Sequence, residues 1–442
     1  MSPHAHVVRC PPRGPSAPSE RPGGTDMTNE TVRRRHVFFI SGFDPKGAAY
    51  YHRLYATGAT QRNSRPGCEC RVGARQRTDD PLVQQWQIRW AEGAAGKAEP
   101  AVETTFEFLS WDDLVRAHWP RKVSSVAAGA WRAYVTALSS RASLVKVWRQ
   151  SRRTLVALAY PALFWLLAGS AALLLAWLVA WLGLRAAAGS AWPHSLLLAL
   201  VTAGAGLAGG GVWWAALALE RRLHTSWLLR IYDFTDLWAK GRLPDLEQRL
   251  AAMAERVKQR LEKQDADEVL LVGYSVGSML SASVLARVVG LLQQLPEAER
   301  ERAIGRLSML TLGQCLPLLA LMPRADNIRR ELRTVAQTPG LRWTDYSSPG
   351  DWGSFALVDP IEMCNAAPAV GPRLVPYMLS PRFHTLFEPT EYAQLKRDKR
   401  RLHLQYLMAT PLAGAYDYFR ITAGPSRLQC NAQSDPPCEA SA

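Results

Sequence analysis

The sequence predicts an α/β fold, a sheet flanked by helices and interrupted by a two-helix transmembrane insertion. Three observations carry that reading. Short apolar runs bounded by Gly, Pro and Asp alternate with segments of helical period, the pattern of strands covered by helices. Two uncharged runs, 154–184 and 195–219, lie back to back near the middle of the chain. Beyond them a strand leads through Gly-x-Ser-x-Gly into an apolar helix.

The composition narrows the classes. In 442 residues the hydrophobic fraction is 48% and the charged fraction 21%, which excludes wholesale disorder and fibrous structure. Lys and Arg number 53 against 38 Asp and Glu, a net charge of +15, so an anionic partner is expected, either nucleic acid or a phospholipid surface. The mean hydropathy of −0.12 resembles that of a soluble protein, but an average conceals a few very apolar segments. The seven cysteines have no repeated spacing, and Cys68-x-Cys70 has no second pair near it. Neither a disulfide framework nor a metal site is expected, and the thiols read as reduced and incidental.

Residues 1–35 carry six prolines and no apolar period, which predicts a disordered tail. No apolar run of secretory length comes after the early charges, Met27 is a second candidate start, and Arg33-Arg34-Arg35 reads as a plain positive flank. Residues 36–113 read as the first part of the α/β domain. His36–Ile40 is a buried strand running into a Gly/Pro loop that ends at Gly47, and further strands are expected at Cys70–Arg77, Val83–Trp90 and Glu103–Leu109.

From Leu114 to Arg153 there are nine Lys/Arg and no acid, with Trp119, Trp131, Tyr134 and Trp148 interleaved. Such a stretch suits a nucleic-acid surface or a helix at a membrane interface. The two uncharged runs beside it decide for the membrane. Spanning 154–184 and 195–219, each exceeds the ~20 apolar residues that cross a hydrocarbon core. Tyr160, Trp165, Trp181, Trp192, Trp213 and Trp214 fall toward their ends as interfacial anchors would, and Gly206-x-x-x-Gly210 is expected to let the second helix approach the first. The segment 154–219 is therefore read as a transmembrane hairpin. Basic residues flank it on both sides, while its loop holds Arg185 alone, so both flanks are placed in the cytoplasm and the hairpin in the inner membrane. The basic stretch 114–153 becomes juxtamembrane, the lipid bilayer becomes the partner, and nucleic acid is set aside.

Residues 220–425 read as the second part of the domain, with a flexible tail at 426–442. Pro244–Lys263 has the apolar spacing of a helix covering a sheet, and Val269–Val272 is a strand. Gly273-Tyr274-Ser275-Val276-Gly277 then opens a helix through Leu292, the arrangement of a nucleophile elbow. The turn exposes the Ser275 hydroxyl, the glycines allow the backbones to approach, and the Val276 amide faces a developing oxyanion.

With strand, elbow and helix in this order, the chain resembles the α/β-hydrolase superfamily on its lipase/esterase-like side. The resemblance covers about residues 35–109 and 229–425, with the hairpin as an insertion. It implies a triad in the order Ser, acid, His. Ser275 would be the nucleophile, Ser41-Gly42-Phe43 would supply a second oxyanion donor at Phe43 (with Ser where the family has His), and no cofactor or metal is implied. The stretch Leu341–Trp352 reads as a strand leading into a turn, and the family places its acid just past such a strand, which favours Asp351 over Asp345. The base is His403, in a His-x-x-Tyr stretch, with His384 as the alternative. The hairpin stands where this family inserts caps, so the expected activity is that of a membrane-anchored serine hydrolase acting on a lipid or long-chain acyl ester. A thioesterase or acyltransferase with the same triad, and a non-catalytic membrane scaffold on a degenerate hydrolase fold, are the rivals.

Overall fold

Alternation along the strands decides which side of the sheet each residue serves. Among the described residues the strands are β1 (Arg34–Ile40), β2 (Cys68–Val72), β3 (Gln76–Arg77), β4 (Val83–Glu92), β5 (Val102–Leu109), β6 (Glu268–Tyr274), β7 (Leu307–Leu312), β8 (Arg342–Tyr346) and β9 (Tyr377–Leu379). In β1, Phe38 and Ile40 enter one core while Val37 and Phe39 enter the other. Val269 and Leu271 of β6 join the first pair, and Leu270 and Val272 the second. Both faces are thus covered, and β6 is buried along its whole length, as parallel strands between helical layers are.

The computed structural model describes residues 31–92, 101–150, 152–188, 192–367 and 375–428. The expectations for a tail before Thr31, for Met27 as a start and for a tail beyond 428 fall outside the described residues, as does the tip of the hairpin loop.

The strands form one sheet in the order β2-β4-β5-β1-β6-β7-β8-β9, with β3 pairing β4. From β5 to β9 all pairings are parallel, while β4 runs antiparallel to β5. The chain starts in the middle of the sheet at β1, builds outward to one side, then returns to β6 and builds to the other. A reversal of this kind leaves a crevice at the carboxyl ends of the central strands. The loops after β1, β6, β7 and β8 meet there.

At the opposite end of the sheet Arg35 pairs with Glu268 at 2.8 Å, both buried, and donates to the carbonyls of Gly424 and Ser426. Thr31 bridges to Ser426, and Leu428 is buried. The folded body therefore begins ahead of His36 and continues past Pro425. Arg34 and Arg35, read as a plain flank, belong to β1. The expected strand Cys70–Arg77 is two strands, because the Gly73 amide turns to donate to the Gln87 carbonyl at 2.8 Å.

Two helices, Leu155–Ala187 and His194–Leu223, are long and apolar enough to cross a membrane, and the most apolar stretch of each has no buried residue. They pack against each other, but not at the expected glycines. A side chain at Gly206 or Gly210 would meet nothing, whereas one at Gly209 would lie 3.0 Å from the Ala172 carbonyl oxygen and one at Gly183 2.7 Å from Val201. The rotation of the second helix turns Gly209 inward and the Gly206/Gly210 pair outward. The foot of the hairpin is fastened to the body: Tyr134 donates to the Leu158 carbonyl at 2.7 Å and Tyr232 to that of Ala157 at 3.3 Å. The basic segment before it folds into the helices Val123–Leu138 and Arg141–Gln150. Val126, Ala130, Ala133 and Val147 join the core, while Trp131, Val135, Leu138 and Trp148 remain exposed.

Candidate active site

Ser275 directly succeeds the last residue of β6 and has φ of +56°, a left-handed backbone that costs a residue with a side chain roughly 1–3 kcal/mol. Its neighbours hold it there. The Ser275 amide donates to the Leu312 carbonyl at 2.9 Å, and Ser278 Oγ donates to the Ser275 carbonyl at 2.5 Å. The glycines on either side are required by contact. A side chain at Gly277 would overlap the Ile40 carbonyl, and one at Gly273 would overlap the Ser281 hydroxyl. The helix Gly277–Leu292 starts immediately, so the Val276 amide stands at a helix N-terminus, where backbone N–H groups lack intrahelical partners.

The loop after β1 lies against this turn. A Cβ at Gly42 would sit 3.1 Å from Ser275 Cβ and 3.5 Å from its Oγ. Trp111 donates its indole N–H to the Ser41 carbonyl at 2.9 Å, and Trp227 donates to the Phe43 carbonyl at 2.8 Å. The Phe43 ring is buried among Trp111, Trp119 and Phe234. The backbone at Phe43 is thereby clamped from both sides.

The two downstream histidines part company. His384 lies exposed in a short 3-10 turn, Phe383–Thr385. His403 is buried in the helix Lys399–Leu404, and its Nδ1 is 2.7 Å from Asp351 Oδ2. That geometry leaves Nε2 as the ring nitrogen not engaged by Asp351. The Tyr274 ring packs on the imidazole with centroids 5.2 Å apart, and its hydroxyl donates to the His403 carbonyl at 3.2 Å. A side chain at Gly313, which has φ of +57°, would meet both Asp351 Oδ2 and His403 Cε1 at 3.3 Å.

The two aspartates also separate. Asp351 accepts from the Gly353 amide at 2.9 Å and from the Tyr406 hydroxyl at 3.1 Å, besides facing His403. Burial pushes its carboxyl up, but the charge and hydrogen bond of His403, with those two donors, outweigh burial and hold it below its ordinary value. It stays ionised beside the imidazole. Asp345 is on β8 and fully buried, accepting from Thr311 at 2.7 Å and Ser347 at 2.8 Å, and burial pushes it up to about 7. Its bonds bind neighbouring strands and loop together, away from His403.

Ser275 and His403 line two adjoining cavities. The larger, about 790 Å³, is walled by apolar side chains of the hairpin foot and the next helix, among them Ala157, Leu158, Leu223, Leu228 and Ile231. The smaller, about 220 Å³, is bordered by Gly42, Phe43, Asp44, Lys46 and Trp119. Cys315 lines the larger cavity beside Ser275: its backbone amide donates to Ser278 Oγ at 3.2 Å, and burial pushes its thiol up, so it is neutral. Among the described residues no three His, Cys, Asp or Glu side chains gather as a metal site would need.

Cys315, Trp227 and Gly313 carried no signal in the sequence as members of this site, since Cys315 reaches Ser278, Trp227 the Phe43 carbonyl and Gly313 the Asp351–His403 pair only through the fold. Tyr406 carried a signal, as the last residue of the His-x-x-Tyr stretch. No family model, curated protein or solved structure matches this chain.

Proposed function

We propose that the protein is a membrane-anchored serine hydrolase of α/β-hydrolase type that cleaves an acyl ester. The observation that carries this reading is the conjunction of Ser275 on a strained elbow with an ionised Asp351 bound to His403, all three at the crevice of the sheet. Asp351 fixes the imidazole with its proton on Nδ1, which makes Nε2 the base for the Ser275 hydroxyl. Attack on the ester carbonyl develops an oxyanion, stabilised by the amides of Val276 and Phe43. His403 then returns the proton to the departing alcohol, and water, activated by the same nitrogen, releases the acid and restores Ser275. The larger cavity falls within the roughly 300–1,000 Å³ of small-molecule sites, and its apolar walls favour a long acyl chain.

The hairpin spans the inner membrane with both of its ends in the cytoplasm, on the reading that Arg221, Arg222 and Arg230 after it, and the basic residues before it, stay on the positive side. The exposed apolar residues of the basic helices, set among Lys and Arg, suit an interfacial position beside that membrane.

A fluorophosphonate probe tests the chemistry on the detergent-solubilised chain. Labelling that disappears in Ser275→Ala is expected, and an unlabelled wild type, or equal labelling of the variant, would sink the assignment. A reporter fused at Gly189 is expected outside the cytoplasm, and a cytoplasmic signal would reverse the topology.

A further inference from the structure

The larger cavity combines two chemistries, of which the hydrolase reading explains only the apolar one. Its walls near Ser275 are apolar, but its rim carries Arg222, Arg397, Lys399 and Arg400. Arg222, Arg397 and Arg400 are exposed and have no ion-pair partner among the described residues, and Lys399 lies over the Trp352 ring at 5.1 Å. Asp398, the one carboxylate among the described residues that line this cavity, caps a helix by accepting the Arg401 amide at 2.9 Å. Four cations around an apolar pocket form a site for a molecule with a long hydrocarbon part and an anionic head.

The position of this rim identifies the source of such a molecule. Arg222 is in the last turn of the second apolar helix, and Tyr160 in the first donates to the Leu223 carbonyl at 2.9 Å. Ala157, Leu158, Tyr160, Arg222 and Leu223, all at the foot of the hairpin, line the cavity together with Ser275. Where the two helices leave the hydrocarbon is also where lipid headgroups lie, and Arg and Lys at that level attract anionic ones.

Resting on the hydrolase reading, we propose that the substrate is an anionic phospholipid drawn laterally from the bilayer, its phosphate held by Arg222, Arg397, Lys399 and Arg400 and one acyl chain in the cavity. Ser275 Oγ bonds to the acyl carbon, the bond from that carbon to the glycerol oxygen breaks, and the glycerol oxygen takes the proton held by His403. Water then cleaves the acyl-enzyme, so ester and water become fatty acid and lysophospholipid.

The test uses the full-length chain reconstituted in vesicles of one fixed bulk composition. Phosphatidylglycerol and phosphatidylcholine bearing the same labelled acyl chain are supplied at equal mole fraction, and a long-chain acyl-coenzyme A is supplied in solution as the other anionic acyl donor. Release of the labelled acid is expected to be about tenfold or more faster from the anionic lipid than from the zwitterionic one, and faster than from the thioester. In Arg222→Gln/Arg397→Gln/Arg400→Gln the ratio of anionic to zwitterionic turnover is expected to fall toward one. Because the ratio is taken within each protein, a general loss of rate cancels, and Arg397→Gln alone gives a partial fall if the triple variant does not fold. Equal rates for the two lipids, an unchanged ratio in the variants, or preference for the thioester would each overturn the headgroup assignment while fluorophosphonate labelling of Ser275 left the hydrolase reading standing. Absence of that labelling would overturn both.

Discussion

Trp227 donates its indole N–H to the carbonyl of Phe43 at 2.8 Å, joining the helix after the hairpin to the loop beside Ser275. The peptide carrying that carbonyl begins at Phe43, whose own amide is the second proposed oxyanion donor. The hydrogen bond therefore sets how firmly that loop is placed, although Trp227 itself takes no proton and gives none to the substrate.

Trp227→Phe keeps the ring volume near the cavity and deletes the bond. Removal of a whole oxyanion donor costs about 10²–10³ in kcat, so a loosened one should cost less, roughly tenfold. The expected signature is a lower kcat on a soluble ester with KM little changed, and a fluorophosphonate labelling rate that falls in parallel. A rise in KM alone would mean that Trp227 merely walls the pocket.

Gly42 and Gly277 both touch the elbow, yet substitution should fail in different ways. An alanine Cβ at Gly42 would press on Ser275 Cβ at 3.1 Å, a contact that displacement of the Ser275 turn by a few tenths of an ångström relieves. Gly42→Ala should fold, with an unchanged melting temperature, and lose about 10²-fold in kcat through displacement of Ser275. At Gly277 the new Cβ would overlap the backbone oxygen of Ile40, also lying 2.6 Å from that of Ser41, and neither can move without separating β1 from β6. Gly277→Ala should therefore fail to accumulate as folded protein, measured by yield after detergent extraction.

These contacts mark the limit of what was legible in the sequence. The strand, elbow and helix around Ser275 are contiguous in the chain, so local period and glycine placement sufficed to find them. The hairpin was legible because a run without charge needs no partner to be recognised. Its packing face was not, since Gly206/Gly210 and Gly209 differ only by a rotation that the first helix decides. The helix Ala48–Arg62 was missed because it buries Tyr51, Tyr55, Gly58 and Arg62 at helical spacing with a polar and small-residue composition that hides the period. Likewise Asp351 and Asp345 both lie on or just past the same strand, and only tertiary contacts with His403 and Tyr406 on one side, and Thr311 on the other, separate them.

His403, Asp351 and Tyr406 form a chain of hydrogen bonds that can be taken apart one member at a time. Asp351→Asn should lower kcat by roughly 10⁴, as neutralising the acid of such a triad does. Tyr406→Phe removes one of several donors to Asp351 and should cost only a few-fold, since a single net hydrogen bond is worth about 1 kcal/mol. His384→Ala should be silent in the same ester assay, as His384 is exposed and lies outside both cavities. Loss of activity in His384→Ala with retention in His403→Ala would move the base to the other histidine.

Asp345 predicts a pH dependence of stability with a definite sign. Burial raises its carboxyl from 3.8 to about 7 in the folded chain, so the folded state binds a proton more tightly than the unfolded one. The stability this group contributes is complete below about 3.8 and is lost as pH rises through about 7. Asp345→Asn keeps the shape and the bond from Thr311, presents an amide in place of the protonated acid, and does not titrate. In detergent, the melting temperature of Asp345→Asn relative to wild type should therefore climb from pH 5 to pH 8. Taking the difference between the two proteins cancels the titration of the distant groups they share, including the Glu107 carboxyl, which is held at about 2 where burial is outweighed by His36 and Arg256. A difference that stays constant across that range would mean that Asp345 is ionised throughout. Its bonds to Thr311 and Ser347 would then be charge-assisted ones that stabilise the β7–β8 pair at neutral pH.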